Sequence, residues 1–164
     1  MSLINSSFDG NYTGWDVSSA GGGSVSLIPG GVKLNLYQCG NIRLSQDFVI
    51  DGDTISFDWN AGITKRWGEG IGVSVSVDGV IIPVTNHPTY KSGSGPTSSS
   101  GQSTIDLSAH IGKIARIDIM VVGSVKYCSY GDHADTYMDI MNLRETTIIA
   151  EEPCNVPTIS MTIG

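Results

Sequence analysis

Apolar and polar residues alternate with a period of two in several short segments of this 164-residue chain. Val32, Leu34 and Leu36 alternate with Lys33, Asn35 and Tyr37, and Ile55, Phe57 and Trp59 with Ser56, Asp58 and Asn60. Ile71, Val73, Val75 and Val77 alternate with Gly72, Ser74 and Ser76, and Ile117, Ile119 and Val121 with Arg116, Asp118 and Met120. Successive side chains of a strand point to opposite faces, so each segment predicts a strand with one buried and one wet face. Asp51-Gly52-Asp53 separates Phe48-Val49-Ile50 from the Ile55 strand, and Asp78-Gly79, before Val80-Ile81-Ile82, predicts a two-residue hairpin turn. Thr85 to Ser103, with Pro88, Pro96 and many Ser, reads as an exposed loop, and Leu107 to Ile114 as one helical turn capped by Ser108 and closed by Gly112. The pattern predicts an all-β chain, an antiparallel sandwich over residues 1–149, with 150–164 as a C-terminal extension or the start of a linker.

Composition agrees and removes some functions. With 21 Gly, 40% hydrophobic and 15% charged residues, the chain turns often and still has enough apolar material for a core. A net charge of −7 with nine scattered Lys and Arg argues against a nucleic-acid partner. No apolar run approaches the roughly 20 residues of a membrane span, so no membrane insertion is expected. Met1-Ser2-Leu3 reads as an expression-vector remnant, which would make this a domain cut from a longer protein. Cys39, Cys128 and Cys154 have no metal-site spacing; a Cys39–Cys128 disulfide and three separate thiols are equally compatible with the sequence. Asn5-Ser6-Ser7 and Asn11-Tyr12-Thr13 match the glycosylation acceptor pattern, which is common by chance in such chains.

Three stretches resemble the galactose-binding-like jelly rolls, the superfamily that holds many carbohydrate-binding modules. Leu3-Ile4-Asn5-Ser6-Ser7-Phe8-Asp9-Gly10 with Gly14-Trp15-Asp16-Val17 is similar to the family's opening. Leu44 to Trp59 resembles its strand, turn, strand unit, and Tyr137-Met138-Asp139-Ile140-Met141-Asn142-Leu143 its closing strand, with Ile140 where relatives often carry a second acid. The resemblance implies a two-sheet antiparallel jelly-roll β-sandwich. It also implies a non-catalytic, carbohydrate-binding domain of a larger extracellular or cell-surface protein. The superfamily includes phage-tail, adhesion and lectin-like domains, so a structural or assembly domain of phage-tail, adhesin or surface-layer type is the alternative. Many members carry a structural calcium, and the matching acids here are Asp9 and Asp139.

Sugar binding needs aromatic faces for the apolar side of a pyranose and planar polar groups for its hydroxyls. Trp15 at strand entry and Trp59 in an inward set read as core. Trp67 lies outside any alternating segment, flanked by Arg66 and Glu69, and reads equally as a ligand contact or as a plug over the sandwich end. On the wet face, Tyr37, Asn35, Lys33, Arg116 and Asp118 would line a shallow groove if their strands are neighbours; an ordinary solvated face with ion pairs is the plainer reading. Tyr90, Tyr127 and Tyr130 add aromatic candidates in loops, and Asp132-His133-Ala134-Asp135 reads as a solvated loop. No G-x-S-x-G or H-E-x-x-H motif and no pair of acids across a cleft suggests a hydrolase, so no enzyme is expected.

Overall fold

A computed structural model describes residues 3–63, 70–89, 97–122 and 136–147, together with the backbone but not the side chains of Tyr37 to Cys39 and Ile63. Among these residues the chain is all-β: β1 (Asp16–Ile28), β2 (Gly31–Val49), β3 (Thr54–Ile63), β4 (Ile71–Val77), β5 (Val80–Ile82), β6 (Val84–Thr85), β7 (Thr97–Asp106), β8 (Ile114–Val122) and β9 (Thr136–Thr146). The expected two sheets are hydrogen-bonded into one, in the order β5-β4-β8-β2-β9-β3-β7-β6, with β1 along the other side of β2. All pairings are antiparallel.

The hinge of this sheet is β2. Its first part, Gly31 to Leu36, pairs with β9, and its second, Asn41 to Val49, pairs with β8 on the same side. One strand thus feeds two arms, β8-β4-β5 and β9-β3-β7-β6. Between them the β1–β2 ladder shifts register, and Gly40, at φ 149°, leaves room for the Ala20 carbonyl where a side chain would collide. Residues of both arms, such as Leu34, Phe57 and Ile105 on one and Leu44, Val75 and Ile119 on the other, join a single buried cluster. A sheet can bring one face to near-zero exposure in this way only by folding over on itself, which the two arms do.

The alternation places side chains as predicted along β2, β3, β4 and β8, with Trp15 and Trp59 in the core. Asp78 and Gly79 both have positive φ, 52° and 78°, which matches the twist of a tight hairpin between β4 and β5. Two expectations change. The end of the expected Thr85–Ser103 loop, from Thr97 on, belongs to β7, because its pairing with β3 uses backbone groups that Ser and Thr supply as well as Val does. The turn after it is a 3-10 turn, Ser108–His110, in which Ser108 is not the cap. The Asp106 carboxylate accepts from the Ser108 hydroxyl (2.7 Å) and amide (3.0 Å), and these bonds hold its pKa below the usual value.

The N-terminal segment is fastened by Gln46, which is buried. Its side-chain nitrogen donates to the carbonyls of Ile4 (3.1 Å) and Gly14 (2.7 Å), and its oxygen accepts from the Ile4 amide (2.8 Å). Phe8 and Trp15 pack 5.1 Å apart beside this clamp. At the other turn of this end, Glu145 accepts from the amides of Asp51 (2.7 Å) and Gly52 (2.8 Å).

Candidate functional site

Each arm turns one polar face outward, and register decides what meets there. On the β9 arm, one row across the sheet reads Ser24, Asn35, Tyr137, Gly62, Ser98, and the next reads Ser26, Lys33, Asp139, Asn60, Ser100. The intervening Leu34, Met138 and Ala61 are buried, so these rows face out. Gly62 explains the lie of Tyr137: a Cβ at position 62 would stand 2.7 to 2.8 Å from the ring and hydroxyl. The hydroxyl end of the tyrosine ring therefore lies over the backbone of β3 at Gly62, as an aromatic plate in the middle of a polar face.

Around the plate stand planar polar groups. Asn60 donates to Asp139 Oδ2 at 3.1 Å. Lys33 Nζ lies 3.8 Å from Asp139 Oδ1 and 4.5 Å from the centre of the Tyr137 ring. Asp139 Oδ1 itself receives no hydrogen bond. One row further, Asp58 accepts from Gln102 (3.0 Å) and Asn142 (2.6 Å), which fixes the floor of the face. The hold on Lys33 is weak, since a partly exposed ion pair and one cation–π contact supply about 1 kcal/mol each at most.

The other arm presents a web of charge. Arg116 bridges Asp47 (3.0 Å), the Ser45 hydroxyl (2.9 Å) and Asp118 (3.6 Å), and Asp118 also faces Arg43 at 3.7 Å. Beside it lies a cavity of about 250 Å³ lined by Ser18, Asn41, Ile42, Arg43, Met120 and Val122. Its apolar walls are aliphatic or thioether, with no ring among them.

The predicted ligand residues therefore divide. Asn35 stands beside Tyr137 on the β9 arm, whereas Arg116 and Asp118 belong to the β8 arm, so they do not form one groove. Tyr37 lies in β2, with its side chain outside the described residues, as are Trp67, Arg66 and Glu69 and the candidates Tyr90, Tyr127, Tyr130, Asp132, His133 and Asp135. The Cys39 side chain, Cys128 and Cys154 also fall outside. Tyr137, Asn60 and Asp58 were legible only as strand residues; what reveals them is the pairing of β9 with β3, which alternation does not give.

Asp9 and Asp139, the acids matched to calcium, are engaged separately. Asp9 accepts from the Ser7 hydroxyl (2.6 Å) inside the N-terminal turn, and Asp139 meets Lys33 and Asn60. Among the described residues no three His, Cys, Asp or Glu side chains gather into a possible metal group. A calcium shared by this pair corresponds to a melting temperature lowered by EDTA and restored by calcium; separate engagement corresponds to no change in a thermal melt.

No family model matches the chain, and no curated protein matches it. Among solved structures it is similar to the enzymatically active domain of tailspike protein 4 of bacteriophage CBA120, at 13% identity and a TM-score of 0.47 over 90% of this chain. It spans 21% of that tailspike chain. It is also similar to TmCBM61, solved in complex with beta-1,4-galactotriose, at 14% identity and a TM-score of 0.45 over 86% of this chain and 94% of that one. At these identities and scores, neither likeness assigns a ligand or an activity to this chain.

Proposed function

We propose that this is a non-catalytic carbohydrate-binding domain of an extracellular or surface protein, and that the outward face of the β9 arm is its binding site. The observation that carries the reading is Tyr137, laid on Gly62 amid Asn35, Lys33, Asn60 and Asp139. A pyranose presents an apolar C–H face that stacks on such a ring and hydroxyls that need planar donors and acceptors. Lys33 swings aside at small cost to donate to a hydroxyl, and Asp139 Oδ1 gains a donor. An open face with one ring implies weak binding, with a dissociation constant on the order of micromolar to millimolar.

The test is a glycan array, followed by titration of the parent and Tyr137→Ala against the best hit. The variant is expected to lose about 1 to 3 kcal/mol of binding, tens to hundreds of times in affinity, with little change in melting temperature. A blank array, or a variant that binds as the parent does, sinks the reading.

The assembly alternative has one observation of its own. Val80, Ile81, Ile111 and Ile114 are 55 to 68% exposed around the Lys113–Asp78 ion pair at the tip of the β8 arm. An apolar corner of this kind suits contact with another subunit. Mass measurements that show an oligomer dissociated by Ile81→Lys, together with a blank array, would put that reading first.

A further inference from the structure

Among the described residues β1 is hydrogen-bonded on one side only, to β2. Its other side is, among the described residues, a free sheet edge thirteen residues long. Free edges template pairing with another strand, and proteins usually blunt them with shortness, Lys, Pro or bulges. β1 contains no Lys or Pro, and its one charge, Asp16, stands at the end. At the register irregularity β1 advances from Gly21 to Gly23 while β2 runs from Gly40 to Leu36, so the extra residues lie on β2, and the irregularity on the edge strand is confined to the left-handed Gly21, at φ 76°.

We propose that this edge pairs with β1 of a second copy of the chain, antiparallel about a two-fold axis at Gly22. A two-fold of an antiparallel pair runs perpendicular to the sheet, so a residue facing inward stays inward in both copies. In that register Val17 stands opposite the partner's Leu27 and Ser19 opposite the partner's Val25. Val17 and Leu27 both lie on the inward face, across β2 from the buried Leu44 and Val32, and yet are 47% and 38% exposed. Pairing covers both and continues the core across the junction. On the outward face Ser18 meets the partner's Ser26 and Ala20 the partner's Ser24, all small and uncharged, while Asp16 meets the partner's Ile28. No like charges oppose one another. A one-residue slip would turn every inward side chain of one copy outward, and of the even registers that keep the parity, the one centred on Gly22 sets the two exposed apolar residues, Val17 and Leu27, opposite each other.

This pairing does not depend on which ligand the β9 arm takes. Sedimentation equilibrium of the parent is expected to show a reversible dimer. Ser18→Glu with Ser26→Glu places carboxylates opposite each other twice across the axis and is expected to weaken dimerisation about tenfold or more. Ser18→Glu with Ser26→Lys places opposite charges there and is expected to restore it. Residues 18 and 26 are both exposed, so each variant should melt near the parent, which thermal denaturation checks. A parent that stays monomeric at its highest soluble concentration overturns the proposal. So does a dimer that the two carboxylates leave intact, or one that the opposite-charge pair fails to recover.

Discussion

Trp59→Ala is expected to cost about 3 to 5 kcal/mol of stability, a drop of roughly 10 °C or more in melting temperature for a chain of this size. Trp59 is buried in β3, directly opposite Gly101 of β7, and a Cβ at Gly101 would stand 2.9 to 3.0 Å from the indole. The ring thus occupies a slot formed by a residue with no side chain. Truncation leaves that slot empty, and the neighbours of Gly101 on the same face of β7, Ser99 and Ser103, have no apolar group to fill it. A milder change separates packing from polarity. The indole Nε1 is buried and makes no hydrogen bond, an arrangement that itself costs about 1 to 3 kcal/mol. Trp59→Phe removes this orphan donor along with part of the ring, and its loss should be well below that of Trp59→Ala. Thermal or urea denaturation of the three proteins checks the order; an alanine variant as stable as the parent would remove Trp59 from the core.

Trp59 and Gly101 also mark where sequence reading works and where it stops. The inward position of Trp59 follows from two residues of alternation before it, because a strand with one buried face must repeat its apolar side every second residue. Gly101 carries no such signal. In Thr97-Ser98-Ser99-Ser100-Gly101 it reads as a loop glycine, yet it is a strand residue whose missing side chain makes room for a partner 42 positions earlier. Ser103 is similar: it is fully buried, and its hydroxyl donates to the Asn86 carbonyl at 2.6 Å. The merging of Val32 to Leu36 and Phe48 to Val49 into one strand was equally hidden, since both pieces show alternation and only β8 and β9, from elsewhere in the chain, reveal the continuity. For the candidate site the limit has the same cause. Asn35 and Lys33 were recognisable as outward residues, but the ring beside them comes from β9, about a hundred residues later. Which outward side chains become neighbours is set by strand order, and that order is a property of the whole chain.

Gly31→Ala is expected to be as damaging as loss of the tryptophan, about 4 kcal/mol, although the change adds only one methyl group. The obstacle is the backbone of β9. A Cβ at Gly31 would fall on the Ile140 carbonyl oxygen and stand 2.9 Å from the Met141 Cα, neither of which belongs to a side chain that can rotate away. The approach is close because β9 bulges here: Asn142 has φ 52°, its amide donates to Gly30 at 3.0 Å, and the β3–β9 register shifts between Ser56 and Asp58. Gly79→Ala makes the contrast. Its φ is +78° with nothing within 4 Å, so only the left-handed backbone resists, at about 1 to 2 kcal/mol. Gly31→Ala must instead part β2 from β9, and β9 is the strand through which β3, β7 and β6 are joined to β2. The same strand carries Tyr137 and Asp139, so stability and ligand binding are expected to fall together in Gly31→Ala, whereas Tyr137→Ala loses binding with its fold intact. Melting curves and glycan titrations of both variants test this division. A Gly31→Ala protein that melts with the parent would mean that β2 and β9 are not held in the register on which the site depends.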